Sequence, residues 1–201
     1  MEALQRKAPE YLALLTARND EEFDAALDVL LAQAIAGLEA NSRNFAGLGE
    51  VGLTGVLAMA LSIPGLTVTQ EANSNGHVDM TIVADHSYPM RKRLGEAKIY
   101  DGPQKHFDGL EQLLVRYTTG REGRGLLIAY FLSQNIAGLV DRLRERMDEE
   151  LPLQQQGATI DHPIRWSFLS KHLHSCGEAL AVEHVACNLH PGRNSNNSTQ
   201  I

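Results

Sequence analysis

Hydrophobic and polar positions recur with a helical period over the first part of the chain. Apolar residues at intervals of three and four positions predict helices there, and the predicted helices span residues 1–18, 19–39 and 45–62. Asn19 precedes Glu22 by three positions, which is the spacing of a helix N-terminal cap. Residues 1–44 are therefore expected to form an N-terminal helical segment.

A period of two in the middle of the chain predicts two strands that pair with each other. Residues 78–84 alternate around Asp79, and residues 95–100 place Glu96 and Lys98 on one face. The segment between these strands is rich in turn-forming residues. Pairing through that turn would bring the carboxylates of Asp79 and Glu96 to one place.

The remaining pattern predicts further helices and strands around these two. The predicted elements are strand 66–71, helix 104–118, strand 125–132, helix 136–147 and strands 166–174 and 179–189. This order is typical of an α/β sandwich in which helices flank a mixed sheet. We expect one domain that comprises N-terminal helices, a catalytic core and C-terminal strands, at residues 1–44, 45–150 and 151–193. The polar residues 194–201 are predicted to be a disordered tail.

Two carboxylates that meet repel each other unless a cation or a shared proton relieves them. Mg²⁺ takes oxygen ligands, keeps several waters and completes its shell with substrate phosphate. Asp79 and Glu96 are thus candidate ligands, with the Ala97 carbonyl as a further one. Lys98 would lie beside the metal, where it can position or activate water or balance charge on the phosphate.

The triplet of Asp79, Glu96 and Lys98 resembles the motif of the PD-(D/E)xK phosphodiesterase superfamily, which has the restriction-endonuclease-like fold. The resemblance covers about residues 50–132, and Val78 stands where proline often precedes the aspartate. It implies an Mg²⁺-dependent nuclease that acts on DNA, with Mn²⁺ as a substitute, and an endonuclease is expected rather than an exonuclease. A role in bacterial restriction or phage defence, and a homodimer or higher oligomer, are expected with it.

Glu50 and Gln112 match accessory features of the exonuclease-like branches of that superfamily. Glu50 is either a third acidic ligand or an exposed glutamate that the first turns of a helix favour. Gln112 either points at the substrate or is a plain surface glutamine.

Net charge is −7, which argues against a protein that coats nucleic acid generally. Basic residues nevertheless concentrate between positions 91 and 124, where a phosphodiester substrate would need them. The candidate phosphate contacts are Arg91, Lys92, Arg93, Lys105, Arg116, Arg121 and Arg124. The alternative is a charged face that is merely solvated.

Histidines and cysteines crowd the end of the chain, and both are zinc ligands. They are His172, His174, Cys176, His184, Cys187 and His190. Their spacing lacks paired Cys-x-x-Cys knuckles, so a histidine-bearing hairpin with free cysteines is expected rather than structural zinc. Without a long apolar run or an apolar signal-peptide core, the chain is expected in the cytoplasm, away from membranes. Two other functions stay open: a catalytically inactive nucleic-acid-binding module of the same fold, and an interaction protein.

Overall fold

The computed structural model describes residues 2–70 and 78–192. The helices are α1 (Glu2–Lys7), α2 (Pro9–Thr16), α3 (Asp20–Ala40), α4 (Ser42–Phe45), α5 (Glu50–Leu61), α6 (Pro103–Glu111) and α7 (Ile136–Glu150). The strands are β1 (Thr67–Gln70), β2 (Met80–Ala84), β3 (Arg91–Ile99), β4 (Arg124–Phe131), β5 (Ile160–Asp161), β6 (Phe168–Leu173) and β7 (Ala179–Asn188). The tail predicted at 194–201 lies outside the described residues.

The seven strands form one mixed sheet in the order β1-β2-β3-β4-β7-β6-β5. The predicted antiparallel pairing is confirmed, since Met80 lies opposite Gly95 and Ala84 opposite Arg91. β3 begins at Arg91, however, and not at the predicted position 95. β3, β4 and β7 run parallel, and the two edges of the sheet are antiparallel. The α/β class with a mixed sheet and flanking helices is therefore confirmed.

Helices cover both faces of the sheet, and the alternation along β4 separates two hydrophobic cores. Leu126, Ile128 and Tyr130 face the core that contains α3 and α5. Leu127 and Phe131 face the core that contains α6 and α7. Because β4 is buried on both faces, its sequence is an almost continuous apolar run.

The N-terminal boundaries differ from the prediction in two places. The helix predicted over 1–18 is two helices, since Pro9 disfavours helical backbone at Ala8 before it. The helix predicted from position 45 begins at Glu50, after the short helix α4. The cap on α3 is confirmed, because the Asn19 side chain accepts a hydrogen bond from the Glu22 N–H at 2.8 Å.

An acidic stripe on α3 fixes this helix to the sheet. Its aspartates recur every fourth position and form ion pairs with arginines of β3 and β4. The stripe consists of Asp20, Asp24 and Asp28, and its partners are Arg91, Arg93 and Arg124. Pairing of each buried guanidinium with a carboxylate offsets the cost of burying its charge.

The predicted helix 104–118 changes its winding after Glu111. α6 continues into a π-helical turn at Gln112–Tyr117, so the last predicted turn is wider than an α-helix. Gly109 lets α6 approach the sheet closely, because a Cβ atom there would lie 3.0 Å from Cγ of Lys98. The helix therefore rests directly on the side chain of Lys98.

Candidate functional site

The hairpin places Asp79 beside β3. β2 begins at Met80, which lies opposite Gly95, so Asp79 stands just before the strand rather than inside it. The backbone N–H of Ala97 donates to Oδ2 of Asp79 at 2.9 Å. Asp79 is thus held against the strand segment that carries Glu96 and Lys98.

Glu50 reaches the same segment from α5. β3 continues to Ile99, whereas its pairing with β2 stops at Gly95. The N–H of Ile99, which has no partner in β2, donates to Oε2 of Glu50 at 2.8 Å. The geometry therefore brings Glu50 to the site, although it is also the first residue of its helix.

Lys98 connects the carboxylates. Its Nζ hydrogen-bonds Oε1 of Glu96 and lies 3.6 Å from Oε1 of Glu50. Only 14% of the Lys98 side chain is exposed, since Gly109 of α6 packs against its aliphatic part. We call Glu50, Asp79, Glu96 and Lys98 the carboxylate site.

Burial sets the electrostatics of this site. Burial, together with the charges of Asp79 and Glu50, raises the pKa of Glu96 to about 7 against the opposing influence of Lys98. Burial also raises the pKa of Asp79. For Lys98, burial opposes the charge, but the hydrogen bond to Glu96 and the carboxylate charges raise its pKa overall. Lys98 is therefore an ammonium donor in this arrangement and not a free base.

The π-helical turn brings Tyr117 near the carboxylates. Burial raises the pKa of the Tyr117 phenol, and the charges of Glu96 and Asp79 raise it further. The resemblance gave the segment from Gln112 to Tyr117 as an accessory feature, and Tyr117 itself was expected on the buried stripe of its helix. No sequence signal marks a π-turn. Gln112 begins this turn, is partly buried, and its amide has no hydrogen-bond partner within 2–70 and 78–192.

The donor set fits a hydrated divalent cation. Oε2 of Glu96 is buried and has no hydrogen-bond partner among the described residues, so a cation would satisfy it. The N–H and C=O of one strand residue point to the same side, and the Ala97 N–H faces Asp79. The Ala97 carbonyl therefore also faces the site. Mg²⁺ needs only one or two carboxylates because waters fill its other positions.

The residues whose possible metal-ligand atoms lie closest together are not those of the carboxylate site. In the part of the chain that the structure describes, one trio has ligand atoms all within 4.8 Å of one another: Asp28, His162 and Glu183. The oxygens of Glu50, Asp79 and Glu96 are more widely spread. A cation at this site would therefore be held partly through water, as Mg²⁺ allows.

Three of the predicted phosphate contacts are corrected by the structure. Arg91, Arg93 and Arg124 are at most 8% exposed, and their guanidinium groups form ion pairs with aspartates of α3. The signal that sequence reasoning missed was the spacing of Asp20, Asp24 and Asp28, which places three carboxylates on one side of a predicted helix, where they can pair with these arginines. The predicted contacts that remain accessible are Lys92, Lys105, Arg116 and Arg121.

The histidines and cysteines near the C-terminal end do not converge on one point. His172, His184 and His106 join Ser170 in a buried hydrogen-bonded chain. Cys187 lies in the core on the opposite face of the sheet, and burial raises the pKa of its thiol. The other members point elsewhere: His174 contacts the Thr118 carbonyl, His190 the Leu132 carbonyl, and Cys176 is exposed.

No family model, curated protein or solved structure matches this chain. The interpretation of the site therefore depends on its own residues and their geometry. No helix within the described ranges has both the length and the apolar character to cross a bilayer.

Proposed function

We propose that this protein is a divalent-metal-dependent phosphodiesterase of the restriction-endonuclease-like type that hydrolyses nucleic acid, with DNA as its substrate. The observation that carries the proposal is the buried Oε2 of Glu96, which has no hydrogen-bond partner within 2–70 and 78–192 and lies beside Asp79, Glu50 and the ammonium of Lys98. Residues from α5, the β2–β3 hairpin and β3 supply this set. An ordinary surface ion pair needs no such convergence.

Each residue of the carboxylate site has a distinct task in the proposed reaction. Asp79, Glu96 and the Ala97 carbonyl would hold Mg²⁺, which lowers the pKa of its bound water and neutralises charge on the scissile phosphate. Lys98 donates hydrogen bonds to the attacking water or to a phosphate oxygen. Glu50 holds Lys98 through charge and keeps the end of β3 in place through the Ile99 N–H.

One observation favours a second candidate, a binding module without cleavage activity. Asp79 and Glu50 each use one carboxylate oxygen to accept a hydrogen bond from a backbone N–H of β3. These bonds satisfy the strand end whether or not a metal binds. The same residues could therefore serve structure alone, with nucleic acid bound but not cut.

Plasmid cleavage in defined metals separates the two candidates. We expect nicking with Mg²⁺ or Mn²⁺, and binding with little turnover in Ca²⁺, whose longer and looser ligation orders water less well. Robust cleavage in excess chelator would contradict the metal mechanism. Binding without cleavage in every metal would favour the non-catalytic module.

The expected homodimer is a prediction of the same proposal. Cutting both strands of a duplex takes two sites, and a two-fold dimer is the commonest way to supply them. A sedimentation measurement at micromolar concentration, made together with an assay for double-strand breaks, tests it. A strict monomer that makes such breaks would count against it.

A further inference from the structure

The tip of the β2–β3 hairpin exposes large side chains that contact little else. Tyr88 is 100% exposed and Met90 is 64% exposed. A fully solvated aromatic ring has a free π-face, and every unpaired base can stack on such a face.

The base of this tip is fastened to the protein. The Ser87 hydroxyl donates to the Ala84 carbonyl and accepts from the Arg91 N–H, each at 3.0 Å. The His86 ring lies 2.9 Å from the Gly65 carbonyl. Tyr88 is therefore presented outward by an anchored turn.

A cavity of about 370 Å³ lies next to Met90 at the tip, with Lys92 and Arg121 on its wall. The two acidic residues that line the cavity already have partners. Asp20 forms ion pairs with arginines of β3, and Glu122 accepts a hydrogen bond from the Thr119 N–H at 2.8 Å. Lys92 and Arg121 are exposed and have no ion-pair partner among the described residues. Two cationic side chains near an exposed aromatic ring suit a nucleotide, because the cations can bind its phosphate and the ring can stack on its base.

The cavity lies at the start of β3, and Lys92 on its wall belongs to the face of the strand that carries Glu96. Lys92 and Glu96 are both even-numbered positions of one strand, so they share a face. Four residues at about 3.3 Å each separate them by about 13 Å. Stacked nucleotides rise about 3.4 Å each, so this distance corresponds to about four nucleotides. Arg121 lies in the loop between the π-helical turn and β4 and lines the same cavity as Lys92.

We infer that Tyr88, Lys92 and Arg121 form a second contact for the nucleic-acid strand that enters the carboxylate site, and we call it the hairpin surface. Its ligand is an unpaired segment about four nucleotides from the scissile phosphate. Lys92 and Arg121 bind backbone phosphate, and Tyr88 stacks on a base. This inference rests on the proposed function and specifies its substrate as nucleic acid with a single-stranded portion.

Binding of fluorescent oligothymidylates of two to twelve nucleotides in Ca²⁺ tests the hairpin surface. Affinity should rise steeply once the strand spans both contacts, at about five or six nucleotides. Tyr88→Ala should weaken binding of the longer strands about tenfold or more, whereas Tyr88→Phe should bind like wild type. Lys92→Gln and Arg121→Gln should each lower the salt slope by about 0.7. Lys171→Gln changes an exposed lysine of β6 and is the matched control.

A minimal phosphodiester, bis(p-nitrophenyl) phosphate, separates failure of this inference from failure of the proposed function. It is too small to reach Tyr88, so hairpin-surface variants should hydrolyse it at the wild-type rate in Mn²⁺. Wild-type affinity and salt slope in Tyr88→Ala, Lys92→Gln and Arg121→Gln would overturn the hairpin surface and leave the chemistry intact. Wild-type protein that hydrolyses neither this substrate nor DNA would refute the proposed function, while the oligothymidylate titrations would still decide the hairpin surface.

Discussion

Two clusters of buried acids occupy opposite faces of the sheet. The carboxylate site is built around Glu96, which is 1% exposed. Asp28, Arg124, His162 and Glu183 form the second, which we call the arginine cluster; Glu183 is fully buried. Burial raises the pKa of both glutamates. The clusters differ in the cation that balances them and in access to water.

The arginine cluster is a closed structural unit. Arg124 hydrogen-bonds Asp28 and lies 3.0 Å from Glu183. The Nδ1 atom of His162 accepts from the Ile164 N–H, so the ring proton sits on Nε2, which points at Asp28. A metal would need that Nε2 lone pair. The closest trio of ligand atoms in the described chain is therefore better suited to ion pairing than to ligation.

The carboxylate site is open where the arginine cluster is closed. The Glu50 side chain is 30% exposed, and Oε2 of Glu96 has no hydrogen-bond partner in the part of the chain that the structure describes. Lys98 is a compact, flexible ammonium, whereas the planar guanidinium of Arg124 holds two acids in one geometry. The oxygens of Glu183 also lack a hydrogen bond within the described residues, but they lie 3.0 Å from Arg124 and 3.4 Å from His162. Access through Glu50 and a flexible cation therefore distinguish the candidate metal site from the structural cluster.

Removing Arg124 should break the arginine cluster and have the largest effect. Arg124→Met leaves Asp28 and Glu183 without their cation, and loss of one member of a buried pair costs about 3–5 kcal/mol. Urea unfolding at about pH 8 measures this change, with Lys171→Met as the control. A loss below about 1 kcal/mol combined with weaker nucleic-acid binding would restore Arg124 as a phosphate contact.

Removing Lys98 should abolish cleavage with a smaller effect on folding. Lys98→Met should lower single-turnover cleavage about 100-fold or more, the usual size for a positioned donor or electrostatic group. Its effect on stability is limited because Glu96, with a pKa of about 7, can take up a proton instead. Circular dichroism and urea unfolding verify the fold.

Asp79→Asn should also slow cleavage, but for a different reason. The amide is a weaker metal ligand, so high Mn²⁺ should partly restore the rate. Metal should not restore Lys98→Met, whose defect lies in the water or the phosphate contact. Wild-type cleavage by Lys98→Met would show that the carboxylate site is not catalytic.

The pKa of Glu96 should make both stability and metal affinity depend on pH. Because its folded pKa of about 7 exceeds the ordinary value of 4.5, its favourable contribution is complete below about pH 4.5 and is lost as the pH rises through about 7. In chelator, Glu96→Gln should therefore gain about 3 kcal/mol over wild type between about pH 5 and pH 8. Mg²⁺ binding needs the carboxylate, so wild-type affinity should rise over the same range and binding should release protons.

Glu183→Gln provides the matched comparison for this pH effect. The pKa of Glu183 is raised in the same direction as that of Glu96. The Glu183→Gln variant should therefore also gain unfolding free energy relative to wild type as the pH rises. Its Mg²⁺ affinity should follow the wild-type curve, because it is remote from the carboxylate site. A pH-dependent Mg²⁺ affinity that disappears in Glu183→Gln and persists in Glu96→Gln would move the metal to the arginine cluster.

The sequence by itself determined the local elements and the main pairing. Alternation marked both strands of the β2–β3 hairpin, and the Asn19–Glu22 spacing marked the start of α3. These signals work because side-chain periodicity and capping act between residues near in sequence. The meeting of Asp79 with β3 followed from that short-range pairing, so it was also predictable.

Tertiary structure alone decided which charges are available. Lys92 and Arg93 are neighbours in sequence, yet Arg93 is buried against α3 while Lys92 is exposed. The position of β7 between β4 and β6, which buries Glu183 beside Arg124, is equally invisible in the local pattern. Burial depends on contacts between residues distant in the chain. Since burial sets whether a charge is paired, titrates or meets a ligand, the chemistry of each cluster is fixed by the fold.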